Sequence, residues 1–315
     1  MSDHKSKSTV ARLIYFFSRR SLTTSRLFAR FFSTLIIDLH LTKISKIIRL
    51  NLQIAFPELT KQERESITRA SIQNEVMSYM EFFHIWGTAT SKNIKSIHHI
   101  YGEELLHQAL AKEKGVVLIV PHFGTWEIMN AWLAQYTQMT IMYKPIKNPI
   151  ADQFVRDARS REQAHLVPTD ESGVRQIFKA LKQGGTTVIL PDHSPDHPAE
   201  MIPYFGIPLS SSNLSAKLIQ KTKAKALLLY ALRNNNDGFD IHIQEIDPAI
   251  YTNTPNEGTK LIFQALENLI RQYPKHYHWS YKRFRANPEL KGIYDIPEQE
   301  ALEQIQHVRN NSISI

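Results

Sequence analysis

The chain has 315 residues and a mass of 36.4 kDa, the length of one large domain or two smaller ones. Hydrophobic residues make up 42% and charged residues 22%, which are ordinary globular proportions and exclude a disordered or fibrous chain. The chain contains no cysteine, so disulfides, thiolate metal sites and a cysteine nucleophile are excluded.

The net charge of +8 is concentrated at the N-terminus. Residues 1–50 carry ten basic and two acidic residues, so the remaining 28 basic and 28 acidic residues balance each other (38 − 10 and 30 − 2). A basic surplus confined to one end is typical of a protein that contacts an anionic surface.

The charges of this N-terminal segment argue against a signal peptide and against a membrane span. The runs between Arg12 and Arg19 and between Arg30 and Asp38 contain no charge but are short, whereas a span needs ~20 mostly apolar residues. A signal peptide also needs an uninterrupted apolar centre.

Helical periodicity predicts an amphipathic segment instead. Four arginines share one helical face: Arg12, Arg19, Arg26 and Arg30. The opposite face carries Leu13, Phe17, Phe28, Phe31, Phe32, Leu35 and Leu39. The polar run of Ser21, Thr23, Thr24 and Ser25 predicts a break into two helical pieces.

A basic face opposite an aromatic face is typical of a helix that lies in a membrane interface. A helix packed on its own domain with solvated arginines is the alternative. We predict that residues 1–45 form an amphipathic membrane-associating segment. No internal repeat or long linker divides residues 46–315, which are predicted to be one domain.

The rest of the chain alternates between predicted strands and helices. Thr60 and Glu63 form a capping box that begins a helix ending near Trp86. Apolar runs predict strands at 116–120, 139–143, 186–190, 225–232 and 239–246. Helices are predicted at 103–112, 125–135, 150–161, 171–183, 211–221 and 256–273. This order predicts an α/β fold with a central mixed, largely parallel sheet flanked by helices.

In such sheets the ligand lies outside the carboxyl ends of the strands. At that edge, the sequence His122-Phe-Gly-Thr-Trp-Glu127 follows the strand at 116–120. The spacing allows Glu127 to orient the imidazole of His122 as a general base for an alcohol. Gly124 allows a close backbone approach at the helix N-terminus. A helix N-terminal histidine with an unrelated glutamate ion pair is the alternative.

The motif resembles the His-x4-Asp/Glu motif of the glycerolipid acyltransferase superfamily. Around it the chain resembles the late acyltransferases of lipid A biosynthesis, the lauroyl and myristoyl transferases of Gram-negative bacteria. The matching blocks occur in family order: Arg49–Leu59, Tyr143–Pro145, Arg159–Arg161, Ala180–Gly185, Leu190–His193, Ile202–Gly206 and Trp279–Arg285. Lys144 stands where the family has arginine, which removes bidentate pairing with phosphate.

The resemblance implies transfer of an acyl group from an acyl carrier protein thioester to a hydroxyl of a lipid A precursor, at the cytoplasmic face of the inner membrane. His122 and Glu127 would be catalytic. The residues expected to contact substrate are Gly124, Tyr143, Lys144, Arg159, Arg161, Asp192, Lys282 and Arg283. No cofactor and no metal are expected. Residues 46–315 would be the acyltransferase domain.

Several alternatives remain open from the sequence. Lys282, Arg283 and Arg285 form either a solvated charge run or a landing site for an acidic carrier protein or a phosphorylated lipid. His193 and His197 suggest a metal site, but Pro195 and Pro198 prevent the helix that would align them. No nucleic-acid-binding signature accompanies the basic charge. Another membrane lipid acceptor and a non-catalytic membrane adaptor are the competing functions.

Overall fold

The structure, a computed structural model, describes residues 11–38, 43–195, 199–234 and 237–313. The chain forms two compact units that alternate along the sequence. The sheet unit contains the chain up to Phe32, Val76–Ile189 and Thr222–Glu245. The hairpin unit contains Ser33–Glu75, Leu190–Lys221 and Ile246–Ile315.

Twelve α-helices are described within these ranges. They are α1 (11–18), α2 (Leu22–Asp38), α3 (Ile44–Ala55), α4 (Lys61–Gly87), α5 (Thr90–Lys95), α6 (Glu103–Ala111), α7 (Ile128–Leu133), α8 (Pro149–Arg161), α9 (Glu171–Lys182), α10 (Leu214–Thr222), α11 (Pro255–Gln272) and α12 (Glu298–Ile313). The predicted capping box of α4 is confirmed, because Glu63 N–H donates to Thr60 Oγ1 and Thr60 N–H donates to the Glu63 carboxylate.

Nine strands are described. They are β1 (Ile97–Tyr101), β2 (Val116–Ile119), β3 (Met139–Met142), β4 (His165–Val167), β5 (Thr186–Ile189), β6 (Glu200–Tyr204), β7 (Ile207–Ser211), β8 (Lys225–Arg233) and β9 (Phe239–Glu245).

The sheet unit is built on a seven-stranded sheet of order β1-β9-β8-β2-β5-β3-β4. All neighbours are parallel except β8 and β9. The predicted α/β fold with a mixed, largely parallel sheet flanked by helices is therefore confirmed. Strand β2 lies in the middle of the sheet, and each of its four residues is at most 1% exposed. A strand covered on both faces needs such a continuous apolar run.

The hairpin unit contains an antiparallel pair, β6 and β7, that the sequence did not predict. In the same unit the side chain of Asn51 on α3 donates to the carbonyl oxygens of Trp279 and Tyr281, at 2.6 and 2.9 Å. Two of the sequence blocks that resemble the family, Arg49–Leu59 and Trp279–Arg285, are therefore joined by these hydrogen bonds.

Within residues 11–38 the N-terminal segment forms two helices, as predicted, with the break at residues 19–21. Thr23, Thr24 and Ser25 lie within α2 rather than in the break. The prediction that Arg26 faces outward with the other arginines is wrong. It is 6% exposed, and its Nε lies 2.7 Å from Glu81 Oε1 of α4. Helical periodicity predicted that the arginines share one face, but it does not show what each arginine contacts.

The other three arginines of that face, Arg12, Arg19 and Arg30, are exposed. Exposed apolar residues accompany them rather than forming a separate face: Leu13, Tyr15, Phe16, Leu27 and Phe31 are 42–60% exposed. The guanidinium of Arg19 lies 3.9 Å from the centre of the Tyr15 ring. Leu39 lies outside the described residues. Within the described ranges, no helix has the length and apolar character that crossing a membrane requires.

Candidate active site

The loop that follows β2 holds the predicted catalytic motif. The helix expected at 125–135 is shorter: residues 126–127 form a turn, and α7 comprises Ile128–Leu133. Gly124 adopts a φ of +55°, and a Cβ there would lie 2.7 Å from the carbonyl oxygen of Ala231 on β8. Glycine is therefore required both for the left-handed backbone and for the close approach to the neighbouring strand.

His122 lies in the loop at the carboxyl end of β2, as the sequence predicted, and is partly exposed. Its ring packs edge-to-face on Trp126, with 5.1 Å between ring centres. Trp126 in turn packs on Phe82 of α4 at 4.6 Å. The imidazole is thus held against an aromatic wall while part of its surface remains accessible.

Glu127 is buried, with 4% of its surface exposed, and its carboxylate is well satisfied. Oε1 accepts a hydrogen bond from Arg159 Nη2 at 2.7 Å. Oε2 accepts hydrogen bonds from Trp86 Nε1 at 2.9 Å and from Asn130 Nδ2 at 3.1 Å. A carboxylate offers about four acceptor positions, so the three donors leave about one position for a further donor.

Arg159 on α8 provides the positive charge beside Glu127. Its side chain is only 16% exposed, and its guanidinium carbon lies 5.2 Å from the centre of the Tyr143 ring. Burial lowers the pKa of Arg159, but the charge of Glu127 and the hydrogen bond to it more than offset this, and the net shift is upward. Its Nε is buried and has no hydrogen-bond partner among the described residues.

Tyr143 follows β3 and forms the next layer of the site. Its hydroxyl donates to Asp152 Oδ1 at 2.6 Å, and Asp152 Oδ2 also pairs with Arg156 Nε at 2.7 Å. Burial and the hydrogen bond to Asp152 raise the pKa of Tyr143 to about 12. Tyr143 therefore remains a neutral phenol at physiological pH. Its hydrogen bond to Asp152 holds in place the ring that the guanidinium of Arg159 packs against.

The two arginines of the Arg-x-Arg pair have different environments. Arg159 contacts Glu127, whereas Arg161 is exposed and donates from Nη2 to the carbonyl oxygens of Trp86 and Thr88 at the end of α4. A cation at a helix C-terminus stabilises the helix dipole and its unpaired carbonyls. Lys144 is exposed.

The remaining predicted residues belong to the hairpin unit. Asp192 is fully buried, and Lys282 is partly exposed with its Nζ 3.4 Å from Asp295 Oδ1. Arg283 is 2% exposed and donates to Ser194 Oγ and to Ser211 Oγ. The reading of Arg283 as part of a solvated charge run is therefore wrong, while Arg285 is exposed. Asp196 and His197 lie outside the described residues, so the absence of a metal site stays a prediction.

Two side chains that hold Glu127 were not found from the sequence. Asn130 lies three residues after Glu127, a spacing that brings side chains together on a helix, and this signal was available. Trp86 lies in the last turn of α4, which begins more than sixty residues before the motif, and no spacing rule connects the tryptophan to Glu127.

Comparison with known proteins places these residues in a family context. Residues 11–286 match the family described as "Bacterial lipid A biosynthesis acyltransferase". The chain is 23% identical over 248 residues to the lipid A biosynthesis lauroyltransferase of Escherichia coli, covering 78% of this chain and 80% of that protein. A lipid A biosynthesis acyltransferase of Haemophilus influenzae is 26% identical over 256 residues, covering 79% and 80%. The palmitoleoyltransferase of Escherichia coli is 21% identical over 251 residues, covering 79% and 81%.

Glu162, just after α8, is a second buried acid of this region, at 5% exposed. Burial and the charge of Glu127 raise its pKa to about 8, although Arg161 and Arg159 act in the opposite direction. In the unfolded chain the pKa of a glutamate is near 4.5. The folded protein therefore holds a proton on Glu162 that the unfolded chain loses as the pH rises above about 4.5, so this group lowers the free energy of unfolding between that pH and about 8.

We expect Glu162→Gln to remove this pH dependence, because the amide has a similar shape and cannot ionise. The thermal midpoint of the variant relative to wild type should be higher at pH 8.5 than at pH 5. The exposed Glu104→Gln is the matched control, and its difference from wild type should stay constant. A Glu162→Gln difference that does not change with pH would show that Glu162 is already ionised in the folded protein at pH 5.

Proposed function

The chain belongs to the bacterial lipid A biosynthesis acyltransferase family and is therefore an acyltransferase, and from this premise we propose its donor, acceptor and mechanism. The acyl donor is an acyl carrier protein thioester, and the acceptor is a hydroxyl group of a lipid A precursor. The observation that carries the proposal is the position of His122: it is partly exposed at the carboxyl end of the central strand, five residues before a buried carboxylate.

His122 acts as the general base in this mechanism. The imidazole takes the proton from the acceptor hydroxyl as the oxygen attacks the thioester carbonyl. When the tetrahedral intermediate collapses, the C–S bond breaks, and the imidazolium returns the proton to the departing thiolate of the carrier, which leaves as a thiol. A general base of this kind accelerates a reaction by a factor of ~10²–10⁴. The absence of cysteine from the chain agrees with direct transfer, without a cysteine-bound acyl intermediate.

Glu127 supports His122 through its charge and its remaining acceptor position. Arg159, Trp86 and Asn130 hold the carboxylate in one orientation, and a fixed negative charge near an imidazole stabilises the imidazolium that forms. We propose that Arg159, which pairs with this carboxylate, and the exposed Lys144 and Arg161 contact anionic groups of the acceptor. Substrate contacts by Gly124, Tyr143, Asp192, Lys282 and Arg283 remain part of the proposal.

The enzyme works at the cytoplasmic face of the inner membrane, to which we propose that it binds through residues 1–45. The supporting observation is the exposed surface of α1 and α2, where Leu27 and Phe31 lie one helical turn apart beside Arg30. Exposed apolar side chains next to cations suit a helix that lies at the headgroup level of an anionic bilayer.

We expect His122→Ala to reduce acyl transfer at least ~100-fold while the protein keeps its thermal midpoint, because the side chain is partly exposed and the general base is lost. The assay follows acylated product by mass spectrometry with acyl carrier protein thioester and lipid A precursor as substrates. Exposed His165→Ala is the control. Retention of more than a tenth of the wild-type rate by His122→Ala would rule out this base.

Arg159→Ala should reduce turnover by at least tenfold and also lower the thermal midpoint, because it leaves the buried Glu127 without its ionic partner. Arg175→Ala is the matched control: Arg175 is 71% exposed and pairs only weakly, at 3.5 Å, with the exposed Glu171. If the two variants lose the same small amount of activity, Arg159 has no role in the site.

For the membrane, replacing both Leu27 and Phe31 with aspartate should abolish most binding to vesicles that contain anionic lipid, since it removes apolar contact and adds negative charge. Wild-type binding should weaken above ~0.15 M salt, where the Debye length is ~8 Å, and part of it should persist because apolar insertion is not screened. Tyr101→Asp, at a residue 52% exposed on the edge strand β1, is the control in co-sedimentation. Unchanged binding of the double variant would place the membrane contact elsewhere.

A further inference from the structure

A buried group of charges lies next to the catalytic motif and has no part in the mechanism above. Glu81 on α4 is fully buried. Its Oε1 accepts from Arg26 Nε of α2 at 2.7 Å, and its Oε2 accepts from Arg233 Nε at the end of β8 at 2.7 Å. Both arginine side chains are only 8% exposed. We call Glu81, Arg26 and Arg233 the buried ion network.

This network is bonded directly to the motif through Thr125, which is 1% exposed. The Thr125 hydroxyl donates to Glu81 Oε2 and accepts from Arg233 Nη2 at 3.0 Å. Thr125 lies between His122 and Glu127 in the sequence, and its carbonyl oxygen accepts from the Ile128 N–H at 3.2 Å, where α7 begins. One hydroxyl therefore connects the motif directly to α4 and β8, and through Glu81 to Arg26 of α2.

The end of α4 contacts three consecutive residues of the motif. Glu81 bonds to Thr125, the Phe82 ring packs on Trp126, and Trp86 donates to Glu127. Aromatic packing alone would allow the motif to shift along the surface of α4, whereas the hydrogen bond of a buried carboxylate has a defined length and direction. The hydrogen bonds of Glu81 and Trp86, rather than the ring packing of Phe82, therefore fix the position of the motif along α4.

The N-terminal helices pack against α4, and α2 supplies the Arg26 partner of Glu81. Besides Glu81, Arg26 donates to the carbonyl oxygen of Gly238 at 3.0 Å and lies 3.6 Å from Asp237 Oδ1. Helix α1 also packs on α4. The ring centres of Phe17 and Phe83 are 6.3 Å apart, and a Cβ on Gly87 would clash with the Cβ of Ser18. Loss of one partner of a buried ion pair is strongly destabilising, because the other charge stays buried without compensation.

We propose that Glu81 is a positioning residue for acyl transfer, which aligns the His122–Glu127 loop through the hydroxyl of Thr125 and requires Arg26 of the N-terminal helix to remain buried and charged. The proposal rests on the function proposed for His122 and Glu127. It assigns no substrate contact to Glu81, so its effect falls on the chemical step and not on substrate binding.

Thr125→Val tests the proposal most directly, because valine keeps the shape and removes the hydroxyl. We expect kcat to fall by about 10- to 100-fold, the range for small misalignment of catalytic groups, while KM for the thioester and for the acceptor changes less than twofold. Thr125→Ser, which keeps the hydroxyl, should restore most of kcat. Thr187→Val is the matched control, since Thr187 is a fully buried threonine whose hydroxyl donates only to the carbonyl oxygen of Thr140.

A purely structural role gives a different result. In that case Thr125→Val lowers the thermal midpoint as Thr187→Val does, with kcat per folded molecule unchanged, or Thr125→Ser fails to restore kcat; each of these outcomes overturns the proposal. Arg26→Gln, assayed in detergent micelles so that membrane binding does not limit the rate, should reduce kcat in the same direction, with partial recovery in Arg26→Lys. A wild-type kcat in Arg26→Gln would show that Arg26 of α2 has no part in positioning the His122–Glu127 loop.

Failure of the proposed function gives a separate signature. If His122→Ala stays active, the base assignment is wrong whatever Thr125→Val shows. If His122→Ala is inactive and Thr125→Val has wild-type kcat, only the positioning role of Glu81 is overturned.

Discussion

Two carboxylates inside the sheet unit, Glu81 and Glu127, require compensating positive charge, and much of the local structure follows from that requirement. A buried carboxylate remains ionised only when it is paired and hydrogen-bonded. Arg159 meets this need for Glu127, and Arg26 and Arg233 meet it for Glu81. The three arginines come from α8, α2 and β8, so the pairing brings distant parts of the sequence together around the loop that follows β2.

The same requirement explains where sequence analysis succeeded and where it failed at the N-terminus. The basic surplus and the two helices within residues 11–38 were predictable, because they depend on composition and on periodicity within one segment. The burial of Arg26 was not predictable, because its partner Glu81 is 55 residues away and nothing in a helical repeat distinguishes an arginine facing lipid from one facing a buried acid. The boundary at residue 45 likewise stays a prediction.

Elements with a local cause were predicted well. The buried strands β2, β3, β5 and β8 are short apolar runs between turn residues, and each lies within a residue or two of its predicted position. The pair β6 and β7 was missed because Pro203 and Pro208 lie opposite each other in it, and proline usually argues against a strand. In a two-stranded ribbon, however, each strand has a free edge, and there a missing N–H costs nothing.

For the site, the sequence predicted His122 and Glu127 and their place at the sheet edge, whereas the partners that define Glu127 came only from the fold. Arg159 was singled out from a family block as a substrate-binding residue, which stays a prediction, whereas its pairing with Glu127 came only from the fold. Trp86 and Glu81 were not predicted at all, because a helix that packs on a loop leaves no fixed spacing between the residues in contact.

The packing of α2 joins two functions that are usually treated separately. Arg26 and Leu27 are consecutive residues with opposite environments. Arg26 is 6% exposed and pairs with Glu81, whereas Leu27 is 58% exposed. If Leu27 enters the lipid interface as proposed, the membrane holds the outer side of the same helical turn whose inner side compensates Glu81. A force that tilts or unwinds this turn then disturbs the membrane contact and the Thr125 hydroxyl together. Helix α2 is in that case a support of the His122–Glu127 loop as well as the proposed anchor, because one turn of the helix contributes to both surfaces.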